Sequence, residues 1–261
     1  MRFLALMLVA SAGWAEMPVV IAHRGGGALK PENTLAAFRH SLSLGVPVME
    51  FDMNLTADDG LIIHHDSTVN AKICRGEGVT AGPIRGLTLA QLARFDCGQG
   101  ERMPTLDSFL TAVTGSKALL LGETKMPVEG GVDPEKFVEK IDAVIRKHGL
   151  ASRFILQSAD YRTLDAMRRR NPEVRICLLS ARRFKPDYLA VAKKHGGTHL
   201  MLRWDDVSGV AQVRQLQGAG LVVYSGTANT PEEWNKYVEM GFDGILTDDP
   251  AALRVFLRGA R

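Results

Sequence analysis

Short apolar runs alternate with amphipathic stretches along almost the whole chain, and this alternation constrains the fold more than any other feature. Alternating strand and helix patterns are typical of parallel sheets covered by helices. The segments between eight of these runs are long enough for helical crossovers, and eight is the strand number of a (β/α)8 barrel. We therefore predict an α/β protein with a TIM-type barrel, whose strands lie near residues 19–23, 48–53, 118–123, 153–157, 174–179, 198–203, 221–225 and 244–247.

A ninth apolar run, Leu61–His65, does not fit this repeat. Only Thr56–Gly60 separate it from the second strand, whereas a parallel crossover needs about a dozen residues or more. We expect the run to fold back antiparallel as a hairpin. The glycine-rich segment 66–117 follows, with short helical patterns at 88–95 and 105–113. It predicts a loop and small-helix insertion after the second barrel strand, covering the mouth of the barrel.

The first fifteen residues have the pattern of a signal peptide. Arg2 precedes an apolar stretch over residues 3–10, and Gly13-Trp14-Ala15 offers small residues at the cleavage positions. The apolar stretch is too short for a stable membrane span, which needs about 20 residues. We expect residues 1–15 to be removed on export to the periplasm or the medium, which leaves 16–261 as one barrel domain. The alternative is an ordinary buried N-terminal segment.

The three cysteines fit this expectation. Cys74 and Cys97 both lie in the predicted insertion, and export would make a disulfide between them possible. Cys177 lies inside an apolar run and is expected to be a buried thiol. The spacing of the cysteines argues against a zinc site, because no pair forms C-x-x-C.

Composition excludes several classes of function. The formal net charge is only +3, and basic residues do not form a stripe interleaved with aromatic ones, which argues against a nucleic-acid partner. The chain is 46% hydrophobic and 23% charged, as in an ordinary globular protein.

Residues that can do chemistry cluster where the first three barrel strands are predicted to end. Active sites of such barrels are built at the carboxyl ends of the strands and from the loops that follow. The candidates are His23 and Arg24 after the first strand, Glu50 and Asp52 on the second, His65 after the hairpin, and Glu123 and Lys125 on the third. Members of a pair two residues apart on a strand point to the same face.

These residue types together suit phosphodiester chemistry. Three carboxylates without a soft ligand nearby fit a hard divalent cation, Ca²⁺ or Mg²⁺, and would repel one another severely without one. Arg24 and Lys125 suit phosphate oxygens. His23 and His65 can serve as general base and general acid. A metal acting as Lewis acid completes the set needed for hydrolysis of a phosphodiester.

Each candidate also has a structural interpretation. Glu50 and Asp52 could form an ion-paired group with Arg24 in a polar barrel core, and Glu123 could cap a turn. A histidine at a strand end is often only a hydrogen-bonding residue. For the structural interpretation to be right, every one of these side chains would have to be structural at the same end of the barrel. This coincidence favours a shared functional site. His64 points away from the face of His65, and we interpret it as structural.

In the same order, these residues resemble the glycerophosphodiester phosphodiesterase family of the phospholipase C-like barrels. The likeness covers nearly the whole chain after residue 15. It is carried by His23-Arg24-Gly25, Pro31-Glu32-Asn33-Thr34, Glu50-x-Asp52, Leu55-Thr56 with Asp59-Gly60, His65-Asp66, Glu123-x-Lys125, and Asp243-Gly244-Ile245-Leu246-Thr247-Asp248 with Pro250.

The resemblance implies a barrel enzyme that hydrolyses glycerophosphodiesters to sn-glycerol 3-phosphate and an alcohol. It implies one divalent cation, with Ca²⁺ favoured over Mg²⁺ because exported members often use calcium. The substrate would be a small molecule. The implied roles are metal ligation by Glu50, Asp52 and Glu123, acid–base catalysis by His23 and His65, and phosphate binding by Arg24 and Lys125.

Two departures from the family pattern concern the substrate pocket. Gly226 stands where the family usually has tryptophan, and Ala159 stands where it often has phenylalanine. Each change removes an aromatic side chain from the wall of the pocket, and together they predict a wider pocket. Two alternatives stay open: a lysophospholipase D on the same barrel, which would need an apolar patch at the mouth, and a phosphodiester-binding protein without turnover, which would not need two imidazoles.

Overall fold

The computed structural model describes residues 17–126, 131–180 and 187–259. The segment 1–15 with its predicted signal peptide lies outside these residues. Within them, every helix is too short or too polar to cross a membrane.

Strands and helices alternate through the described chain. The strands are β1 (Val19–Ala22), β2 (Val48–Leu55), β3 (Leu61–Ile63), β4 (Arg75–Gly76), β5 (Phe95–Asp96), β6 (Leu119–Thr124), β7 (Phe154–Ser158), β8 (Arg175–Leu179), β9 (His199–Leu202), β10 (Val222–Gly226) and β11 (Gly244–Thr247). The α-helices are α1 (Leu35–Ser43), α2 (Leu89–Leu92), α3 (Leu106–Val113), α4 (Pro134–His148), α5 (Tyr161–Arg170), α6 (Tyr188–His195), α7 (Val210–Gly218), α8 (Pro231–Met240) and α9 (Pro250–Gly259).

Eight of the strands close into the predicted TIM-type barrel. Their spatial order is β1-β11-β10-β9-β8-β7-β6-β2, and β1 pairs with β2 to complete the ring. Every pair in this ring is parallel. The helices between successive barrel strands cover the outside, so the carboxyl ends of all eight strands open at one mouth.

Because successive residues of a strand point to opposite faces, the barrel strands contribute to two separate cores. One residue from each barrel strand points inward and forms a central cluster, made of Ile21, Val48, Leu121, Ile155, Cys177, Met201, Tyr224 and Leu246. The residues between them point outward and pack on the helices, where Phe51 contacts Phe38, Phe109 and Phe154 with ring centroids 4.5–6.3 Å apart. The inward face of β2 therefore continues from Val48 to Glu50 and Asp52.

The hairpin and the insertion follow the prediction. β3 pairs antiparallel with β2, and Leu55 lies opposite Leu61. Beyond it, the chain forms short strands β4 and β5, the single turn of α2, and a small core of its own. A disulfide joins Cys74 and Cys97 within this insertion, whereas Cys177 is a buried free thiol.

Two details of the fold differ from the sequence interpretation. The helical pattern at 88–95 forms only α2, because Phe95 enters the small sheet of the insertion and pairs with Gly76. Helix α9 after the last strand was not predicted, and it completes the eighth strand–helix unit.

Candidate active site

Glu50 and Asp52 lie inside the barrel because of their register on β2. Both side chains are buried, each with 1% of its residue surface exposed. The backbone N–H of Arg24 donates to Glu50 Oε2 at 2.8 Å, and the Asn33 amide donates to Asp52 Oδ2 at 2.8 Å. Buried carboxylates need such partners, because an ionised group without them is strongly destabilising.

Glu123 joins this pair through the pairing of β6 with β2. Asp52 and Glu123 are direct register partners, so their side chains emerge next to each other on the inner face. Single carboxylate oxygens of Glu50, Asp52 and Glu123 lie within 4.8 Å of one another. The prediction that these three side chains come together is confirmed.

Lys125 lies against two of the three carboxylates. Its Nζ is 3.0 Å from Asp52 Oδ1 and 2.8 Å from Glu123 Oε1. Burial alone would lower the pKa of Lys125, but the charges of Asp52 and Glu123 outweigh it and raise that pKa. Burial alone would raise the pKa of Asp52, but the charges of Lys125 and His65 outweigh it and lower that pKa.

The pKa of Glu50 shifts in the opposite direction from that of Asp52. Burial, followed by the negative charge of Asp52, raises the pKa of the Glu50 carboxyl. The cation of Lys125 is hydrogen-bonded to Glu123. The cluster thus holds more negative charge than its own cations balance, and this excess is what a divalent cation would neutralise.

Arg24 is held beside the cluster by two acidic residues. Its Nη1 donates to both oxygens of Glu32 at 2.9 and 3.0 Å, and its Nε lies 3.6 Å from Asp52 Oδ2. The Nε atom is buried and has no hydrogen-bond partner among the described residues. Arg24 and Asn33 both have positive φ, 50° and 57°, and such backbone conformations concentrate at functional sites.

His23 is oriented by Asp248 and Asn229, which follow β11 and β10 near the end of the chain. Its Nδ1 lies 2.6 Å from Asp248 Oδ1, just after β11. Asn229 donates to the second Asp248 oxygen at 2.6 Å. Burial disfavours the charged imidazole, but the hydrogen bond to Asp248 and the charge of Glu50 outweigh it and raise the pKa of His23. The Nδ1 contact leaves Nε2 as the nitrogen available for chemistry.

His65 has a parallel arrangement at the end of the hairpin. Its Nδ1 lies 2.7 Å from Asp66 Oδ1, and Asn70 donates to the other oxygen of Asp66 at 3.1 Å. The neighbouring His64 is buried, and the backbone N–H of Asn70 donates to its Nε2 at 3.3 Å. Burial lowers the pKa of His64, as expected for a structural histidine.

Three residues around the site were not predicted as site residues, although Asp248 is part of the motif that carries the family resemblance. Gln157 donates to Glu123 Oε2 at 3.1 Å, and the other two are Asp248 and Asn229 beside His23. Asp248 directly follows the last barrel strand, so the rule that placed Glu123 could have found it. Gln157 gave no such signal, because its contact depends on the register between β6 and β7.

The residues present fit a hard divalent cation. The donor set is three carboxylates, the ligand chemistry that Ca²⁺ and Mg²⁺ prefer. Among the described residues, no other group of histidine, cysteine and acidic side chains meets in this way. Glu50, Asp52 and Glu123 would hold the ion.

A cavity of about 890 Å³ extends from the site across the mouth of the barrel. Glu123, Lys125 and His65 border it on one side. Ala159 and Tyr161, which follow β7, border it on the other. Ala159 therefore lies on the wall where the sequence predicted a wider pocket. Gly226 does not lie among the described lining residues, and a Cβ built on it would be 2.6 Å from Leu246.

A TIM-type barrel with an acidic cluster, two carboxylate-paired histidines and a wide mouth defines a class of metal-assisted phosphodiester hydrolases. Comparison with known proteins supports assignment to a class of phosphodiester hydrolases. The model of the glycerophosphoryl diester phosphodiesterase family matches residues 23–252. The glycerophosphodiester phosphodiesterase of Caldanaerobacter subterraneus is 29% identical over 243 residues, covering 90% of this chain and 96% of its own.

Two further proteins are similar over most of their length. An Oleispira antarctica phosphodiesterase, solved in complex with the product sn-glycerol-3-phosphate, is 25% identical with a TM-score of 0.83, covering 93% of this chain and 97% of its own. Human lysophospholipase D GDPD1 is 23% identical, covering 91% of this chain and 85% of its own. The chain belongs to the glycerophosphoryl diester phosphodiesterase family. It is a phosphodiesterase, and its activity is hydrolysis of glycerophosphodiesters.

Proposed function

We propose that this enzyme hydrolyses small glycerophosphodiesters to sn-glycerol 3-phosphate and an alcohol, with His23 and His65 as the acid–base pair. The observation that carries this proposal is the matched orientation of the two imidazoles. Each is bound through Nδ1 to a carboxylate, His23 to Asp248 at 2.6 Å and His65 to Asp66 at 2.7 Å. Each Nε2 is then left to exchange a proton with the substrate.

The two histidines lie beside different parts of the acidic cluster. His23 follows β1 and feels the charge of Glu50, whereas His65 follows β3 and interacts electrostatically with Asp52. One imidazole can therefore take the proton of the attacking hydroxyl while the other protonates the departing alkoxide.

Phosphate binding falls to the cations beside the cluster. A divalent ion held by Glu50, Asp52 and Glu123 would act as Lewis acid toward the phosphoryl oxygens. Arg24 and Lys125 add positive charge beside the cluster, and such cations suit phosphate oxygens. Ca²⁺ is our proposed ion.

Replacement of either histidine tests the acid–base assignment. We expect His23→Ala and His65→Ala each to lower kcat on glycerophosphocholine by about two to four orders of magnitude, since that is the usual contribution of general acid–base catalysis. His40→Ala is a matched control on the outer helix α1. Circular dichroism and Tm confirm folding. Full turnover in both site variants would end the assignment.

A lysophospholipase D activity is the second candidate, favoured by the similarity to the human enzyme of that name. Most of the described residues that line the cavity carry a polar or charged group, which favours small water-soluble diesters. Choline release from lysophosphatidylcholine, measured beside release from glycerophosphocholine, separates the two. Faster release from the lysophospholipid would make it the principal activity.

Export is part of the same proposal. The Cys74–Cys97 disulfide supports it, because such bonds persist in oxidising compartments. N-terminal sequencing of the protein from a secretion-competent host would test cleavage after Ala15. An N-terminus at Met1 in the cytoplasmic fraction would contradict export.

A further inference from the structure

The cavity beside the catalytic cluster is larger than a glycerol group requires. Its volume of about 890 Å³ lies within the range of roughly 300–1,000 Å³ found for pockets that bind small molecules. From the cluster it extends toward β7, α5 and the end of α6. The described lining residues here are Ala159, Asp160, Tyr161, Arg162, Asp165 and His195.

We infer that this cavity binds the alcohol group of the diester and that Ala159 sets the size of the group it accepts. The inference rests on the proposed function. A phosphodiester bound at the cluster carries a glycerol on one side of phosphorus and the variable alcohol on the other. A cavity of this size suits the group whose size varies from one diester to another.

The position of Ala159 supports this role. It directly follows β7 and lies two residues beyond Gln157, the register partner of Glu123, so it sits just beyond the acidic cluster at the mouth of the barrel. It is exposed and contributes only a methyl group to the wall. A larger side chain at this position would project into the cavity without displacing any part of the buried core.

The wall formed after β7 consists largely of polar residues that contact one another. Asp165 accepts from His195 Nδ1 at 3.0 Å, and the ring of His195 lies against that of Tyr161 with centroids 5.0 Å apart. The Tyr161 hydroxyl donates to the carbonyl oxygen of Leu179 at 3.2 Å. Asp160 pairs with Arg162. A wall of paired carboxylates, a guanidinium, an imidazole and one aromatic ring suits a polar head group better than an acyl chain.

Ala159→Phe tests the inference by filling the cavity. The substrates are glycerophosphoethanolamine and glycerophosphoinositol, which share the glycerol phosphate and differ only in the alcohol. We expect kcat/KM for the inositol diester to fall by about tenfold or more relative to the ethanolamine diester, as for a steric change in a binding pocket. Ala219→Phe, exposed at the other end of the barrel after α7, is the control.

Inhibition by sn-glycerol 3-phosphate decides which half of the substrate the cavity holds. If it holds the alcohol, the inhibition constant stays unchanged in Ala159→Phe. A weakened inhibition constant, or an equal loss of kcat/KM on both diesters, would overturn the inference while leaving the proposed function intact. Absence of turnover by the unsubstituted enzyme on both diesters would instead refute the proposed function, and the inference with it.

Discussion

Gln157 connects the acidic cluster to the interior of the barrel. Its amide donates to Glu123 at 3.1 Å, and the thiol of Cys177 lies 3.7 Å from its Oε1. These contacts follow from the register, in which Glu123 pairs with Gln157 and Gln157 with Cys177. Burial, with the added charge of Glu123, raises the pKa of the Cys177 thiol, so it stays a neutral donor.

Loss of the Gln157 amide should weaken the metal site. We expect Gln157→Leu to lower divalent-cation affinity by about 10- to 100-fold, the usual effect of removing a group that orients a metal ligand. Calorimetric titration with Ca²⁺ and Mg²⁺ measures this without substrate. Gln215→Leu, exposed on α7, is the control. Equal affinities in the two variants would show that Gln157 does not orient Glu123.

His199 is a buried titratable residue outside the site. It contacts the Thr198 hydroxyl at 2.8 Å, and its ring lies 5.4 Å from that of Tyr224. Burial and the nearby cation of Arg175 lower its pKa to about 4. The unfolded chain therefore binds a proton at higher pH than the folded one, and the resulting stability is lost as the pH falls from about 6.5 toward 4.

Unfolding in urea at pH 7 and pH 5 tests this linkage. Between these two values, we expect His199 to contribute about 2 kcal/mol to the loss in free energy of unfolding. His199→Asn should remove that contribution, whatever it does to stability at pH 7. An identical pH dependence in the variant would refute the assignment.

The residues that carry charge could be predicted, and those that orient them largely could not. Glu50, Asp52 and Glu123 stand out because acidic residues interrupt strands that otherwise read as buried. Gln157 does not stand out, because an amide on a strand can serve any polar role. Its function depends on which residue lies opposite, and the sequence does not specify that register.

The insertion between β2 and β6 is an element with its own small core. Its buried residues include Phe95 and Leu92, and the Cys74–Cys97 disulfide lies among them. Glu101 ties it to the barrel by accepting from the backbone N–H of Ala36 in the first turn of α1 at 3.1 Å. The insertion thus adjoins the loop that carries Arg24 and Asn33.

Removal of this disulfide should destabilise the protein. We expect the double variant Cys74→Ser/Cys97→Ser to lose about 3 kcal/mol, because the crosslink restricts the unfolded chain over a sequence separation of 23. Guanidinium unfolding with and without reductant measures it. Reductant should shift the midpoint of the wild type and leave that of the double variant unchanged. Equal midpoints for oxidised wild type and variant would contradict the prediction.

Elements with a regular apolar period could be predicted from the sequence, whereas the bounds of short elements could not. The antiparallel hairpin β2–β3 follows from a connection too short for a crossover. The helical pattern at 88–95 overran α2, because Phe95 is used by the core of the insertion instead. Apolar spacing alone does not distinguish a helix end from a strand start when tertiary contacts decide.

Closure of the barrel brings distant parts of the chain into one site. His23 and Asp248 are 225 residues apart, yet β1 pairs directly with β11 and places them in contact. The inner faces of β2 and β6 supply the acidic cluster, and the hairpin supplies His65. The strand count, the common mouth and the hairpin could be predicted from the sequence, and together they placed all seven predicted residues at one end.

Release of sn-glycerol 3-phosphate from glycerophosphocholine is the most direct test of a metal-assisted hydrolase. Protein treated with chelator should release none, and re-added Ca²⁺ should restore release, with Mg²⁺ as the comparison ion. Glu50→Gln should fail to recover at the same concentration, because it removes one of three ligands. Undiminished release in excess chelator by both wild type and Glu50→Gln would contradict the account.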